Sequence, residues 1–483
     1  MKTSALLLAL VAAVALPATT FAADFTTNQS ASVVLGQPNF TSNTASNLPN
    51  RFSNSSGVAV DPTTGKVFVA DTSNNRVLRF SSAAAAANGS NPEAVIGQAG
   101  FASSLVNQGG AAAANTLAGP GDIFVDPNGR LWVADSGNNR VLRFDLASLI
   151  GPTNPSADRV LGQPDFATIA AGTSNVKMSN PFGLTVDGSG VLWVADSGNN
   201  RVLRFDAAAT LASGAVANGV LGQGNFATSA SATTAVGMNF PTGASVDASG
   251  RLWVADTLNN RVLRFDAAAG KADGANADGV LGQTDFITGS SGLSAIKMST
   301  PYGLYADASG NLWVGEYGNR RTIRFSTAAS LTDGAAATLV LGQPNFTTNT
   351  FTTTAKGGGG IVHIANGPGG SLLVADFDNS RVLRYTPTAA PTPKPPIISL
   401  IGSTRRTTHA GKLIIRGLSG DADGTVVVIK GNVNGGHARN ARNISPWSFT
   451  ARHLVAGRNR VRIRAFDNDG LTSSFVRLVI TRN

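Results

Sequence analysis

The 483 residues contain no cysteine, which excludes thiol chemistry, cysteine-held metals and disulfide scaffolding anywhere in the chain. The formal charge of +10 sits at one end: residues 1–400 hold 24 Lys and Arg against 24 Asp and Glu, whereas residues 401–483 hold 14 against four. A neutral body with a basic tail makes an anionic polymer or surface the expected partner of the tail alone. In chain order, Lys2, the apolar run Ala5–Leu16, Pro17 and the small-x-small stretch ending at Ala22 predict a secretory signal peptide over 1–22. The product is then secreted: extracellular, cell-surface associated or periplasmic. That apolar run is too short to cross a bilayer, and no later stretch reaches about eighteen apolar residues.

From 31 to 385 one block recurs six times at a spacing of about sixty residues. Its core reads V-A-D-x-x-N-N-R-V-L-R-F. The acid recurs as Asp71, Asp135, Asp196, Asp256, Glu316 and Asp376, and the arginine as Arg76, Arg140, Arg201, Arg261, Arg321 and Arg381. In the third copy, Leu184–Val186, Leu192–Ala195, Val202–Phe205 and Val220–Gly222 are short β-branched or aromatic runs bounded by Gly, Asn and Asp. Four antiparallel strands per unit, repeated radially, give an all-β fold, a six-bladed β-propeller. The fourth-strand motif V-[LI]-G-Q ends at Gln37, Gln98, Gln163, Gln223, Gln283 and Gln343. Its first copy precedes any core and its last core lacks one, so the N-terminal strand is expected to complete blade six and close the ring.

The segments Leu131–Phe144, Leu192–Phe205 and Leu252–Phe265 closely resemble the NHL repeat, and the resemblance extends over roughly residues 31–385. Copy five departs most, with Gly315, Glu316, Tyr317, Arg320 and Thr322; copy six carries Phe377-Asp378-Asn379-Ser380. The resemblance implies a six-bladed propeller, and related propellers include lyases and lactonases that work at a central metal. Here His363 is the sole histidine of the repeats, while His409, His437 and His453 lie in the tail. Zinc takes three or four protein ligands, so neither a metal nor a cofactor is expected. A lyase- or lactonase-type enzyme acting at the central channel stands as the alternative reading.

The repeated Asp and Arg read as framework, Asp accepting the N–H groups of its own turn and Arg bracing the blade. Trp132, Trp193, Trp253 and Trp313 read as packing between blades. Long connections run from each V-[LI]-G-Q motif to the next inner strand, on the same face as the D-S-G-N-N turns. They contain Phe40, Phe101, Phe166, Phe226, Phe286 and Phe346 as anchors. Each enters its inner strand through a P-x-G-like step whose middle residue varies: Ser56, Gly121, Phe182, Thr242, Tyr302 and Ile361. Asp122 replaces the glycine of its step. The candidate ligand face is therefore Ser56, Asp122, Phe182, Thr242, Tyr302 and His363, presented to a protein or glycan.

Residues 386–396 form a Pro/Thr-rich extended linker. Beyond it, 397–483 alternate as a small basic β-sandwich and resemble bacterial Ig-like modules, with Lys412–Arg416, Thr425–Lys430, Val461–Ala465 and Phe475–Ile480 strand-like. The acidic stretches 421–424 and 467–470 read as hairpin turns, since neither completes a calcium loop. Arg458, Arg460, Arg462 and Arg464 occupy alternate positions and share one face, a candidate anion-binding stripe; protection of a sheet edge is the competing reading. Nucleic acid is not an expected partner of an exported chain with a neutral body. The whole reads as an exported, non-enzymatic binding or scaffold protein.

Overall fold

The computed structural model describes residues 23–145, 149, 153–388, 395–421, 425–467 and 471–483. The predicted signal segment 1–22, the middle of the linker (389–394) and parts of both acidic turns (422–424 and 468–470) lie outside the described residues. The chain divides into a unit spanning Phe25–Thr388 and a second formed from the tail.

In the first unit each sequence block is one four-stranded antiparallel sheet. Blade one is Ser55–Val60, Val67–Asp71, Arg76–Phe80 and Ala94–Ile96; blade two is Pro120–Val125, Leu131–Asp135, Arg140–Phe144 and Arg159–Leu161. Blades three and four repeat this as Pro181–Val186, Leu192–Asp196, Arg201–Phe205, Gly219–Leu221 and Pro241–Val246, Leu252–Asp256, Arg261–Phe265, Gly279–Leu281. Blade five is Pro301–Ala306, Leu312–Glu316, Arg321–Phe325 and Leu339–Leu341. Blade six is Ile361–Asn366, Leu372–Asp376 and Arg381–Tyr385, completed by Val33–Leu35 from the start of the chain, with Val34 opposite Leu383. The first strand of every blade touches the first strands of both neighbours, and that of blade six touches that of blade one, so the first strands form a closed ring.

Burial follows from this stacking. The second strands are buried at every position because each face packs on a neighbouring sheet. Trp132 shares a cluster with Met178, Leu184 and Leu192 of blade three, so it fills the space between blades; Trp193 and Trp253 repeat the arrangement one blade on. Truncating such a side chain costs about 3–5 kcal/mol.

The second unit is a β-sandwich. One sheet holds Ile397–Leu400, Lys412–Gly420 and Trp447–Arg452; the other runs Arg405–Thr408, Val476–Arg482, Gly457–Asp467, Val426–Val433, Arg439–Asn440. Ile415, Trp447, Phe449, Val461, Ile463 and Leu478 form its core.

Candidate functional site

The repeated Asp and Arg are fully buried and bonded to each other, with Arg Nε to carboxylate distances of 2.7 Å in blades one to four. Their remaining bonds go to the long loops. The second carboxylate oxygen accepts the N–H of Ser53, Ala118, Ser179, Asn239, Ser299 or Gly359, each just ahead of its own inner strand. The expectation that Asp caps its own turn is corrected: a turn asparagine side chain contacts the carboxylate, as Asn74 does Asp71, and the backbone N–H comes from the loop. The guanidinium donates to the anchor phenylalanine carbonyl of the following connection, Arg201 to Phe226 at 2.7 Å, and Arg381 donates to Phe40 across the ring closure. Both charges are consumed by main chain and by each other, which leaves no polar atom for a ligand.

The P-x-G step explains the channel. In blades three, four and five the glycine is imposed by the next inner strand. A Cβ on Gly183 would fall 2.1 Å from the Thr242 carbonyl oxygen, and one on Gly243 would fall 2.2 Å from that of Tyr302. In blades two and six the same position carries Asp122 and His363. Strand register makes this plain for blade six, where Ile361 pairs with Asp376 as Pro301 pairs with Glu316. The varied middle residue there is consequently Val362, and the expectation of Ile361 is corrected.

Asp122 and His363 meet across blade one, His363 Nε2 lying 3.0 Å from Asp122 Oδ1. Gly57 of the intervening blade makes room, since a Cβ there would lie 3.0 Å from that carboxylate. Each side chain also takes the N–H of the next inner strand: Leu184 donates to Asp122 Oδ2 at 3.2 Å, and Val58 donates to His363 Nδ1 at 3.4 Å. An accepting Nδ1 puts the ring hydrogen on Nε2, pointing at the carboxylate; this tautomer is assigned from the bonding pattern. Both imidazole nitrogens are therefore engaged. Among the described residues no group of three His, Asp or Glu side chains gathers as a metal site requires.

The other ring residues divide by size. Ser56 and Thr242 are buried, and their hydroxyls bond sideways: Ser56 donates to the Pro120 carbonyl at 3.1 Å and Thr242 to that of Tyr302 at 3.1 Å. They join blades and do not face a ligand, which corrects their placement on the candidate face. Phe182 and Tyr302, half-buried, reach over the channel mouth from non-adjacent blades and meet edge to face at 5.0 Å. Gly121 gives Phe182 its room, for a Cβ there would come within 2.8 Å of the ring. Below them a cavity of about 130 Å3 is lined by every inner strand, including Val60, Val125, Thr185, Ser245, Tyr305 and His363.

From Tyr302 the aromatic contacts continue outward, to Tyr317 at 6.3 Å and then to Phe377 at 6.3 Å. Tyr317, 37% exposed, donates through its hydroxyl to Asp378 Oδ1 at 3.2 Å. Asp378 Oδ2 accepts the Gly360 N–H at 3.1 Å. The glycine run 357–360 supplies flatness: the Tyr317 ring would overlap a Cβ on Gly360, and Phe351, 45% exposed, approaches Gly359. Burial pushes the Tyr302 hydroxyl up to about 12, with Tyr317 adding to the effect, and burial followed by the Asp378 charge pushes Tyr317 up. Both phenols keep their protons and can donate. Tyr317, Phe377 and Asp378 were not among the candidates from sequence; their only signal was the break in the repeat.

In the tail, Arg458, Arg460, Arg462 and Arg464 alternate with buried Asn459, Val461, Ile463 and Ala465, so the four share one outer face. Their strand lies inside the five-stranded sheet, so edge protection is not their role.

The NHL repeat model matches residues 52–80, 117–144, 178–205 and 238–265, one segment in each of blades one to four. Blades five and six, where the turn residues change, fall outside those matches. Among solved structures, virginiamycin B lyase from Staphylococcus aureus is 14% identical, covering 70% of this chain and 96% of its own, with a TM-score of 0.38. A calcium-binding protein, regucalcin, from Agrobacterium tumefaciens is 14% identical, covering 74% and 98%, with a TM-score of 0.41. The extracellular domain of a hybrid two component system from B. thetaiotaomicron is 13% identical, covering 89% and 56%, with a TM-score of 0.41. No curated protein matches the sequence. No helix among the described residues is long and apolar enough to cross a membrane.

Proposed function

Because the chain is an NHL-repeat β-propeller protein, we propose that it is an exported, non-enzymatic binding protein that holds a glycan on its loop-rich face, at the seam between blades five and six. One observation carries this reading: the unbroken run of ring contacts from Phe182 through Tyr302 and Tyr317 to Phe377, flanked by the Asp378 carboxylate. Apolar ring faces suit the C–H face of a sugar, and a fixed carboxylate accepts its hydroxyls. The engagement of both His363 nitrogens supports a binding role over catalysis in the channel. The basic tail module tethers the propeller to an anionic polymer or surface, and the leader-like segment 1–22 supports export.

The test is a glycan array probed with the full mature chain. Binding is expected to fall about tenfold or more in Tyr317→Ala and Phe377→Ala. A blank array alongside a protein captured by the same face would replace the glycan with a protein ligand.

A further inference from the structure

In the tail module the arginine row is one part of a larger cluster of cations on one sheet face. The strand Gly457–Asp467 is hydrogen-bonded to Val426–Val433 on one side and Val476–Arg482 on the other. Register places Arg462 opposite Arg477, Arg464 opposite Lys430, and Arg460 opposite Val479, which in turn stands opposite Arg405. The remaining cross-strand partners of the row, Thr481 and Asn432, are neutral. Like charges directly opposed weaken a sheet. Two such pairs lie at the middle of this one, each a guanidinium facing another cation, and an external anion would relieve the field they create.

The chemistry of the face narrows the anion. Six of its seven cations are arginines, whose planar forks pair two-to-two with carboxylate or sulfate oxygens. Alternate strand positions repeat at about 6.8 Å, so the row from Arg458 to Arg464 runs for roughly 20 Å in a straight line. A groove of about 410 Å3 lined by Arg405, Thr407, Arg458 and Thr481 prolongs it at one end. The aromatic residues beside the row are each in contact with one of its cations. The Arg464 guanidinium lies 4.8 Å from the Phe466 ring centre and 5.0 Å from that of Phe475, and Lys430 lies 5.3 Å from Phe466. Among the described residues Phe475, at 37%, is the single exposed large apolar side chain beside the row, too little apolar surface to anchor in a lipid layer or to stack successive bases.

We propose that this face binds a linear acidic polysaccharide, carboxylated or sulfated, laid along the strand Gly457–Asp467. The proposal rests on the tail being an attachment module and names what it attaches to. The experiment measures binding of the full mature chain to polygalacturonate, dextran sulfate, neutral dextran, phosphatidylglycerol vesicles and a single-stranded oligonucleotide. The two acidic polysaccharides distinguish carboxylate from sulfate. Binding to at least one of them, absent for neutral dextran and weakened about tenfold or more by raised salt, is the expected result. It is expected to fall by a similar factor in the triple variant Arg460→Glu/Arg462→Glu/Arg477→Glu, and also in the glutamine triple, which keeps the fold without adding repulsion. Unchanged polysaccharide binding in both variants overturns the proposal. If vesicles or the oligonucleotide bind more tightly and lose that binding in the variants, the attachment module stands and the polysaccharide does not. Binding to no anionic probe removes both.

Discussion

Blades one to four and blades five and six share a backbone turn and differ in who satisfies it. In the first group the last turn residue is Asn75, Asn139, Asn200 or Asn260, each at a left-handed φ of 52–54°. Each amide does two jobs. Its nitrogen donates to the following connection, as Asn200 does to Ser229, and its oxygen accepts the N–H that opens the next inner strand, as Asn200 does from Phe240 at 2.7 Å. Blade five has Arg320 at the same left-handed φ, and a guanidinium only donates. It bonds to the Asn349 carbonyl, while the Gly360 N–H turns to Asp378 of the next blade. In blade six Ser380 takes over, accepting the N–H of Asn54. The backbone need is constant. Where its supply is split between residues, the turn surface is free to carry Tyr317 and Phe377, and uniformity marks scaffold where divergence marks surface.

The largest test of the uniform half is Arg201→Ala. It leaves Asp196 buried and uncompensated, and is expected to cost about 3–5 kcal/mol in urea unfolding. The divergent half has its own vulnerability, because all four tyrosines of the chain, Tyr302, Tyr305, Tyr317 and Tyr385, lie in blades five and six. Burial pushes each hydroxyl up, to about 12 in Tyr302 and Tyr305. A folded value above the unfolded one favours the fold while the group is protonated. The contribution is complete below about pH 10 and is lost as pH rises through about 12, roughly 2–3 kcal/mol for Tyr302. Hydrogen exchange at rising pH should open blades five and six first; exchange that opens all blades together would erase this distinction.

Between the halves, Asp122→Ala strips a partner from His363 and from the Leu184 N–H, with an expected cost of about 1–3 kcal/mol. A double-mutant cycle with His363→Ala should return a coupling on the order of 1 kcal/mol, and additivity would mean the two do not interact. The smallest effect has the opposite sign. Arg320→Asn restores the residue that tolerates a left-handed backbone and is expected to stabilise by about 1 kcal/mol, measurable as a raised unfolding midpoint.

Much of the fold was legible in the residues because framework is repeated: six acid–arginine blocks fixed the blades, and the displaced V-[LI]-G-Q motif revealed the pairing of Val34 with Leu383. The site was less legible. Asp122 and His363 stood out as replacements, yet their pairing depends on Gly57 lying between them in space and on the strand register of blade six, neither visible locally. Ser56 and Thr242 varied as surface residues do, but they turn sideways to join blades. Tyr317 and Asp378 appeared only as irregularities, since periodicity does not separate a compensating change from a functional one. The arginine row allows an edge reading because strand order is not written locally: pairing with Val426–Val433 on one side and Val476–Arg482 on the other puts its strand inside the sheet.

One measurement bears most directly on the central claim that blades five and six diverge to bind rather than to fold. The variant Tyr317→Ser/Arg320→Asn/Phe377→Ser/Asp378→Gly/Ser380→Asn rewrites both turns to the pattern of blades two and three, and is assayed for unfolding midpoint and for glycan-array binding. The expected result is a protein as stable as the parent, or more so, that no longer binds. A variant that unfolds, or one that binds as the parent does, would contradict it.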